Sequence, residues 1–266
     1  SYLTIMVGDA PSTKEYTIDS ETDLPLKGKV KTSYLHDSQK VMVENLADLY
    51  DVIGYVRELQ NGFIIRGVSE EDVQTGVRRT LFKDEKQHVI NFAETGSAWV
   101  CCDFDQYDVP DIYGRNSVQA YEYLIENHMP KQFKDVSYIY QSSASAGLEY
   151  KGHPVKPGTS VHLFFYLDQL VTNEQFKNWF AKEIDDGFDR STFNTVLPIF
   201  VSSFVKKDIR IIDRIPEEQK YALVAKNTDV VKVPVIKPRA LVPQTCKTVT
   251  DFETKESVLQ EIAALG

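Results

Sequence analysis

The chain has 266 residues, 42% of them apolar and 26% charged, which suffices for one large folded domain or two small ones with a real core. No apolar run approaches the roughly 20 residues of a membrane helix, and no secretory leader pattern is visible, so a soluble protein is expected. The net charge of −9 argues against tight, processive duplex binding, although a net charge hides local patches and metal-binding carboxylates add to it.

Residues 1–40 are polar and mixed, with a strand-like piece at 2–7. Val41, Val43, Leu46, Leu49, Tyr50 and Ile53 recur near helical spacing and predict a helix over 41–60. Residues 62–66 read as a short strand. Ser69 followed by Glu70, Glu71 and Asp72 resembles a capping box and predicts a helix over 69–80. The run Ala-Trp-Val-Cys-Cys-Asp-Phe-Asp at 98–105 reads as a strand, closed by a loop with Pro110 and Gly114. Val118, Tyr121, Leu124 and Ile125 predict an amphipathic helix over 117–128.

A short strand is expected at 137–140. A loop rich in Ser, Gly, Pro and Lys follows over 142–158, then a strongly β-prone segment at 160–167. Thr172 and Gln175 form a capping box before Phe176, Trp179, Phe180 and Ile184, which predicts a helix over 172–185. Strands are expected again at 196–204 and 221–224. Pro234, Pro238 and Pro243 mark an extended exit, and 250–265 reads as a last helix. Strands and helices interleave, which limits the class to α/β or α+β. Cys101, Cys102 and Cys246 have no CxxC spacing, so neither a disulfide framework nor a cysteine-built zinc site is expected, and the context reads as reducing and cytoplasmic.

Three places carry possible chemistry. In the strand at 98–105, Asp103 and Asp105 share a face, with Cα atoms about 7 Å apart. Two carboxylates at that spacing can share hard cations, and magnesium takes one or two protein carboxylates plus substrate phosphates. The bland reading is a solvated strand end. Ser160 and His162 likewise share a strand face, and a hydroxyl and an imidazole can both bond phosphate. The bland reading there is a packed histidine. Asp185, Asp186 and Asp189 cluster after a helix, where negative charge opposes the dipole, and Gly187 frees the backbone to turn Asp189 inward.

Taken in order, Asp103-Phe-Asp105, Ser160-Val-His162 and Phe188-Asp189 resemble the motifs of the archaeo-eukaryotic primase superfamily. The stretch from Gln141 to Gly147, and Phe188-Asp-Arg-Ser191 with Leu197-Pro-Ile-Phe200 downstream, resemble its plasmid and phage branch. The likeness covers about residues 95–205 and departs from some members in lacking a zinc-binding cysteine cluster. It implies an α+β fold with an RRM-like, mainly antiparallel sheet flanked by helices. A catalytic domain would span 1–235, with an N-terminal α/β module to about 95, and residues 236–266 would form the exit and final helix. It implies a DNA primase or primase-polymerase that makes primers for a mobile element, by template-directed nucleotidyl transfer.

By the same resemblance Asp103, Asp105 and Asp189 would be catalytic ligands of Mg²⁺ or Mn²⁺. Ser160 and His162 would touch the incoming triphosphate, with Lys151, Lys156 and Arg190 as basic neighbours. The partners would be a single-stranded DNA template, nucleoside triphosphates and a helicase domain or protein, and no membrane. Asp213 is the rival third acid. Lys206, Lys207, Arg210, Arg78 and Arg79 are further candidate cations, and Tyr138, Tyr140 and Phe164 candidate base-stacking aromatics, against surface and core readings of each. Three other functions compete: a nicking replication initiator, which needs an H-x-H absent here, a metal-dependent nuclease, and a non-catalytic binding module. Nucleotide incorporation separates the first reading from all three.

Overall fold

The computed structural model describes residues 1–11, 13–28, 33–79, 92–183 and 189–236. Contacts gather residues 1–236 into one compact unit. In chain order its elements are β1 (Tyr2–Gly8), β2 (Lys14–Ile18), β3 (Pro25–Lys27), β4 (His36–Met42), α1 (Leu46–Arg57), β5 (Gly62–Ile65), β6 (Val73–Val77) and β7 (Ser97–Tyr107). Then come α2 (Val118–His128), β8 (Tyr138–Ser142), β9 (Leu148–Tyr150), β10 (His153–Pro154), β11 (Thr159–Val171) and α3 (Asn173–Glu183). The series ends with β12 (Val205–Lys207), β13 (Ile212–Asp213), β14 (Tyr221–Val224) and β15 (Val230–Val231). The class is α+β, and the sheets are mostly antiparallel. Among the described residues no helix is long and apolar enough to cross a membrane.

Strand β11 is the spine of a five-stranded sheet. One edge pairs with β7, and the other with β8 and, further along, with β15; β14 lies outside β8. Alternation gives the sheet two unlike faces. Val100, Cys102, Phe104, Val161, Leu163, Phe165 and Tyr138 point to the side covered by α2 and α3. Trp99, Cys101, Phe164 and Ile139 point the other way, where α1 and the β5-β1-β4-β6 sheet cover them. Two small sheets complete the unit, β10-β9-β13 and β12-β2-β3.

The helices start where side chains can cap them. Asn45 accepts the Asp48 amide at α1, Ser117 accepts the Ala120 amide at α2, and Thr172 and Gln175 exchange bonds before α3, a reciprocal capping box.

Several expected elements differ. Residues 41 and 42 finish β4, so α1 begins only after Asn45. The segment at 69–80 is not a helix. The Ser69 hydroxyl bonds the Glu71 carbonyl, Val73–Val77 pairs with β4 as an edge strand, and Gly76 takes φ +66°, a conformation a helix does not use. The expected loop at 142–158 contains the β9–β10 hairpin. The segment at 196–204 forms no strand beyond the isolated Ile64–Ile199 bridge, and the next strand is Val205–Lys207. Ile184, Asp185, Asp186, Gly187, Phe188 and Cys246, and all residues after Ile236, lie outside the described residues.

Candidate active site

Across three neighbouring strands, one row of the sheet is apolar and the next is polar. Phe164 is in register with Cys101 on one side and Ile139 on the other. Two residues earlier, His162 is in register with Asp103 and Gln141. Both rows share a face, so the polar row emerges where the cover of α1 ends.

His162 is held from both sides. Gln141 Nε2 donates to the Ser142 carbonyl at 2.6 Å, which turns Oε1 toward His162 Nδ1 at 3.0 Å. Nδ1 is therefore the donor, and Nε2 faces Asp103 Oδ1 at 3.4 Å. Burial works against charge on Asp103, but the imidazole of His162, aided by Lys156, outweighs it and holds the carboxyl below its ordinary range.

Asp105 sits at a β-bulge. Thr159 pairs with Tyr107 and Val161 with Phe104, so Asp105 and Gln106 together oppose Ser160. Gln106 adopts φ +56° and gives its amide to Ser160 Oγ at 2.9 Å. The same hydroxyl donates to Asp105 Oδ1 at 3.0 Å, and the Ser160 amide is bonded to Asn116. Ser160 is buried, and its hydroxyl spends its proton and one lone pair on positioning Asp105. Gly158 closes the bulge at φ +69°, where a Cβ would lie 2.6 Å from the Gln106 carbonyl. Burial again disfavours charge on Asp105, yet its ion pair with Lys156, the Ser160 hydroxyl and Lys14 hold its carboxyl below the usual range.

Asp189 arrives on the far edge of β7, where its backbone bridges that of Asp103. Its carboxylate accepts the Ser191 amide at 2.7 Å and caps the 3-10 turn Arg190–Phe193. Asp103, Asp105, Asp189, Ser160, His162 and Lys156 all line one cleft of about 290 Å³.

Other candidates lie elsewhere. Lys151 stands at the tip of the β9–β10 hairpin, ion-paired with Asp23, and is not a lining residue of the cleft; nor is Arg190, in the turn beyond Asp189. Asp213 is bound at 2.5 Å by Lys220, itself only 2% exposed, and does not line the cleft. Lys206 pairs with Glu15, Lys207 bonds the Ile211 carbonyl and Arg210 pairs with Asp208. Arg78 lies over the Tyr34 ring, and Arg79 bonds the Val196 carbonyl. Tyr138, Tyr140 and Phe164 are core residues, too buried to stack on a base.

The cleft also holds two lysines that the sequence does not flag, Lys14 and Lys27, which come from β2 and β3, more than seventy residues before Asp103. Ser143, in the turn after β8, belongs to the Gln141–Gly147 stretch, and Leu197, Pro198 and Phe200 to the segment after Ser191; with Phe204 the latter make up apolar lining. The local balance is three lysines against three aspartates, unlike the acidic whole.

No family model matches the chain, and neither the curated proteins nor the solved structures yield a significant match. The cleft's own chemistry must carry the functional reading. Among the described residues no three His, Cys, Asp or Glu side chains converge closely enough to hold a metal ion together, so Asp103, Asp105 and Asp189 do not form a three-carboxylate site as they stand. The Asp103 and Asp105 oxygens nonetheless suit a hard cation of the magnesium type, which keeps part of its shell for water and substrate phosphates.

Proposed function

We propose that the chain is a metal-dependent nucleotidyltransferase, a DNA primase or primase-polymerase with a fold of the archaeo-eukaryotic primase type. The observation that carries this reading is the register of β7 and β11. It sets Asp103 beside His162, and Asp105 beside Ser160, at the mouth of a cleft with three lysines.

Asp103 and Asp105 would hold Mg²⁺ or Mn²⁺, with Asp189 next to them. Bound there, the cations would neutralise charge on the attacking 3′ oxygen and the leaving pyrophosphate. The chain's own part is positioning. Ser160 fixes Asp105, and Gln141 orients the imidazole so that Nε2 looks into the cleft. Lys156 is ion-paired with Asp105, and a cation on Asp105 would release its ammonium toward phosphate oxygens. The apolar side at Leu197, Pro198, Phe200 and Phe204 offers a nucleobase a surface. Catalysis then rests on alignment and charge neutralisation. The buried thiols of Cys101 and Cys102 suit a reducing cytoplasm, and the partners would be a single-stranded template, nucleoside triphosphates and a helicase.

The test is incorporation of labelled nucleotide on a single-stranded template with Mg²⁺ or Mn²⁺, products sized with and without a primer. Template-dependent products that vanish in Asp103→Asn are the expected result. Cleavage of the template without incorporation, or no metal-dependent reaction at all, overturns the reading.

A further inference from the structure

Strand β2 lies between β3 and β12, and its register fixes which lysines face the cleft. Tyr16 is paired with Lys27 on one side and Lys207 on the other, and Lys14 is two residues from Tyr16. Paired residues and residues two apart share a face. Lys14 and Lys27 therefore stand together on the face that buries Tyr16, while Lys206 and Glu15 pair on the opposite face.

Lys14 reaches across the cleft and gives a hydrogen bond of 2.7 Å to Ser143 Oγ, which is 3.2 Å from Ser145 Oγ. Two neighbouring lysines are neutralised, Lys156 by Asp105 and Lys206 by Glu15, and Lys207 bonds the Ile211 carbonyl. Among the described residues Lys14 and Lys27 have no carboxylate within salt-bridge distance. Their convergence is electrostatically costly: burial, then Lys156 and Lys27, push the Lys14 ammonium down to about 8, and Asp105 and Asp103 offset this only in part. Like charges gathered in a concave site raise the local concentration of an anion and are relieved when one binds. The cleft's 290 Å³ lies near the low end for small-molecule sites, about 300–1,000 Å³.

We propose that Lys14, Lys27 and Ser143 form a polyphosphate subsite, distinct from the carboxylate pair, that takes the phosphate tail of a nucleoside triphosphate. The nucleoside part of that ligand rests on the nucleotidyl-transfer reading; the polyphosphate part rests on the lysines alone. Ammonium groups on two strands and a hydroxyl on a third segment suit a chain of phosphates better than a single one. The subsite needs no metal.

The test uses inorganic tripolyphosphate titrated calorimetrically into the whole chain in the presence of a chelator. The unmodified protein binds it. Lys14→Gln and Lys27→Gln each weaken binding about tenfold or more, the range for a hydrogen bond to a charged group, and the double variant weakens it further. Lys206→Gln, on the outer face, leaves it unchanged. If Lys14→Gln fails to fold, Lys27→Gln decides, because Lys27 is exposed and bears no core contact. Absence of binding by the unmodified protein, or equal binding by the double variant, overturns the subsite. Nucleotide kinetics separate the two readings. If the protein incorporates no nucleotide but tripolyphosphate binding follows the lysines, the polymerase reading falls and the subsite stands. If it incorporates nucleotide and the double variant keeps the same KM, the subsite falls alone.

Discussion

The two faces of the central sheet are built from the same strands but do opposite work. Toward α2 and α3 the residues of β7 and β11 are apolar along the sheet, from Val100 to Phe104 and from Val161 to Leu167, and pack against Phe133, Phe176, Trp179 and Phe180. Toward α1 the face is apolar only as far as Cys101 and Phe164, then changes to Asp103, Asp105, His162 and Ser160. A face that buries everything can be exchanged for other hydrophobes of like volume with modest loss. A face that changes character within two residues depends on register, since a one-residue slip would put the carboxylates in the core. The stability of the first face holds the geometry of the second.

The largest separation of the faces is expected from Phe165→Ala. Phe165 is fully buried, with ring centroids 4.9 Å from Phe133 and 5.8 Å from Tyr138. Its truncation should cost about 3–5 kcal/mol in chemical denaturation, with normal specific activity in the fraction that stays folded. Full stability in that variant would break the comparison.

Asp103→Asn should behave inversely. Incorporation should fall by about a hundred- to a thousandfold, the scale for losing one preorganised electrostatic group, while the unfolding midpoint drops only slightly. The sign of that drop follows from linkage. The Asp103 carboxyl is held below its ordinary range in the fold. Its contribution to stability is present above the unfolded value and lost as pH falls through the folded one. The gap between variant and parent should therefore close in acid. A variant more stable than its parent at neutral pH would contradict the partnership with His162.

His162→Ala should raise the nucleotide KM and lower kcat/KM by about ten- to a hundredfold, with the melting temperature little changed. Gln141→Leu should give a part of the same defect, about two- to tenfold, because it removes only the bond that sets the ring. A packed but idle histidine would instead lower the melting temperature and leave the kinetics alone.

The smallest effect is one of pH. Lys14 titrates near 8 among Lys27, Lys156, Asp103, Asp105 and Ser143. Nucleotide affinity, read at constant ionic strength, should weaken as pH rises through about 8. Folding stability should move the other way. A lysine whose folded value lies below its unfolded one costs most below 8 and least toward 10.5, so the two profiles should cross.

Much of this was legible in the sequence where the signal is local. The apolar run into Asp103 and the aromatic-rich run after His162 read as strands because both are short, continuous apolar segments of β-prone residues, the pattern of a strand buried on both faces. Helices α2 and α3 read correctly because caps and apolar stripe coincide. Ser69-Glu-Glu-Asp72 misled, since a capping box describes only a helix start and nothing in it counts the glycine at 76 or the pairing available from β4. Lys14 and Lys27 were invisible for a different reason. They lie in short, polar strands whose partner β12 is about 190 residues away in the chain. Lys151 and Arg190 illustrate the converse, basic residues next to motif residues in sequence but turned elsewhere by a hairpin and a 3-10 turn.

The pairing of β2 with β12 also bears on how the protein is made. Lys14 leaves the ribosome about 190 residues before Val205–Lys207, and its strand has no β12 partner in the β12-β2-β3 sheet until that segment has been synthesised. The row of Asp103, His162 and Gln141 needs only β7, β11 and β8, all complete by Val171. A nascent chain thus holds its acidic row before its basic one. Pairings so distant in sequence form late and slowly, and the lysine side of the cleft is the last part of the candidate site to be assembled.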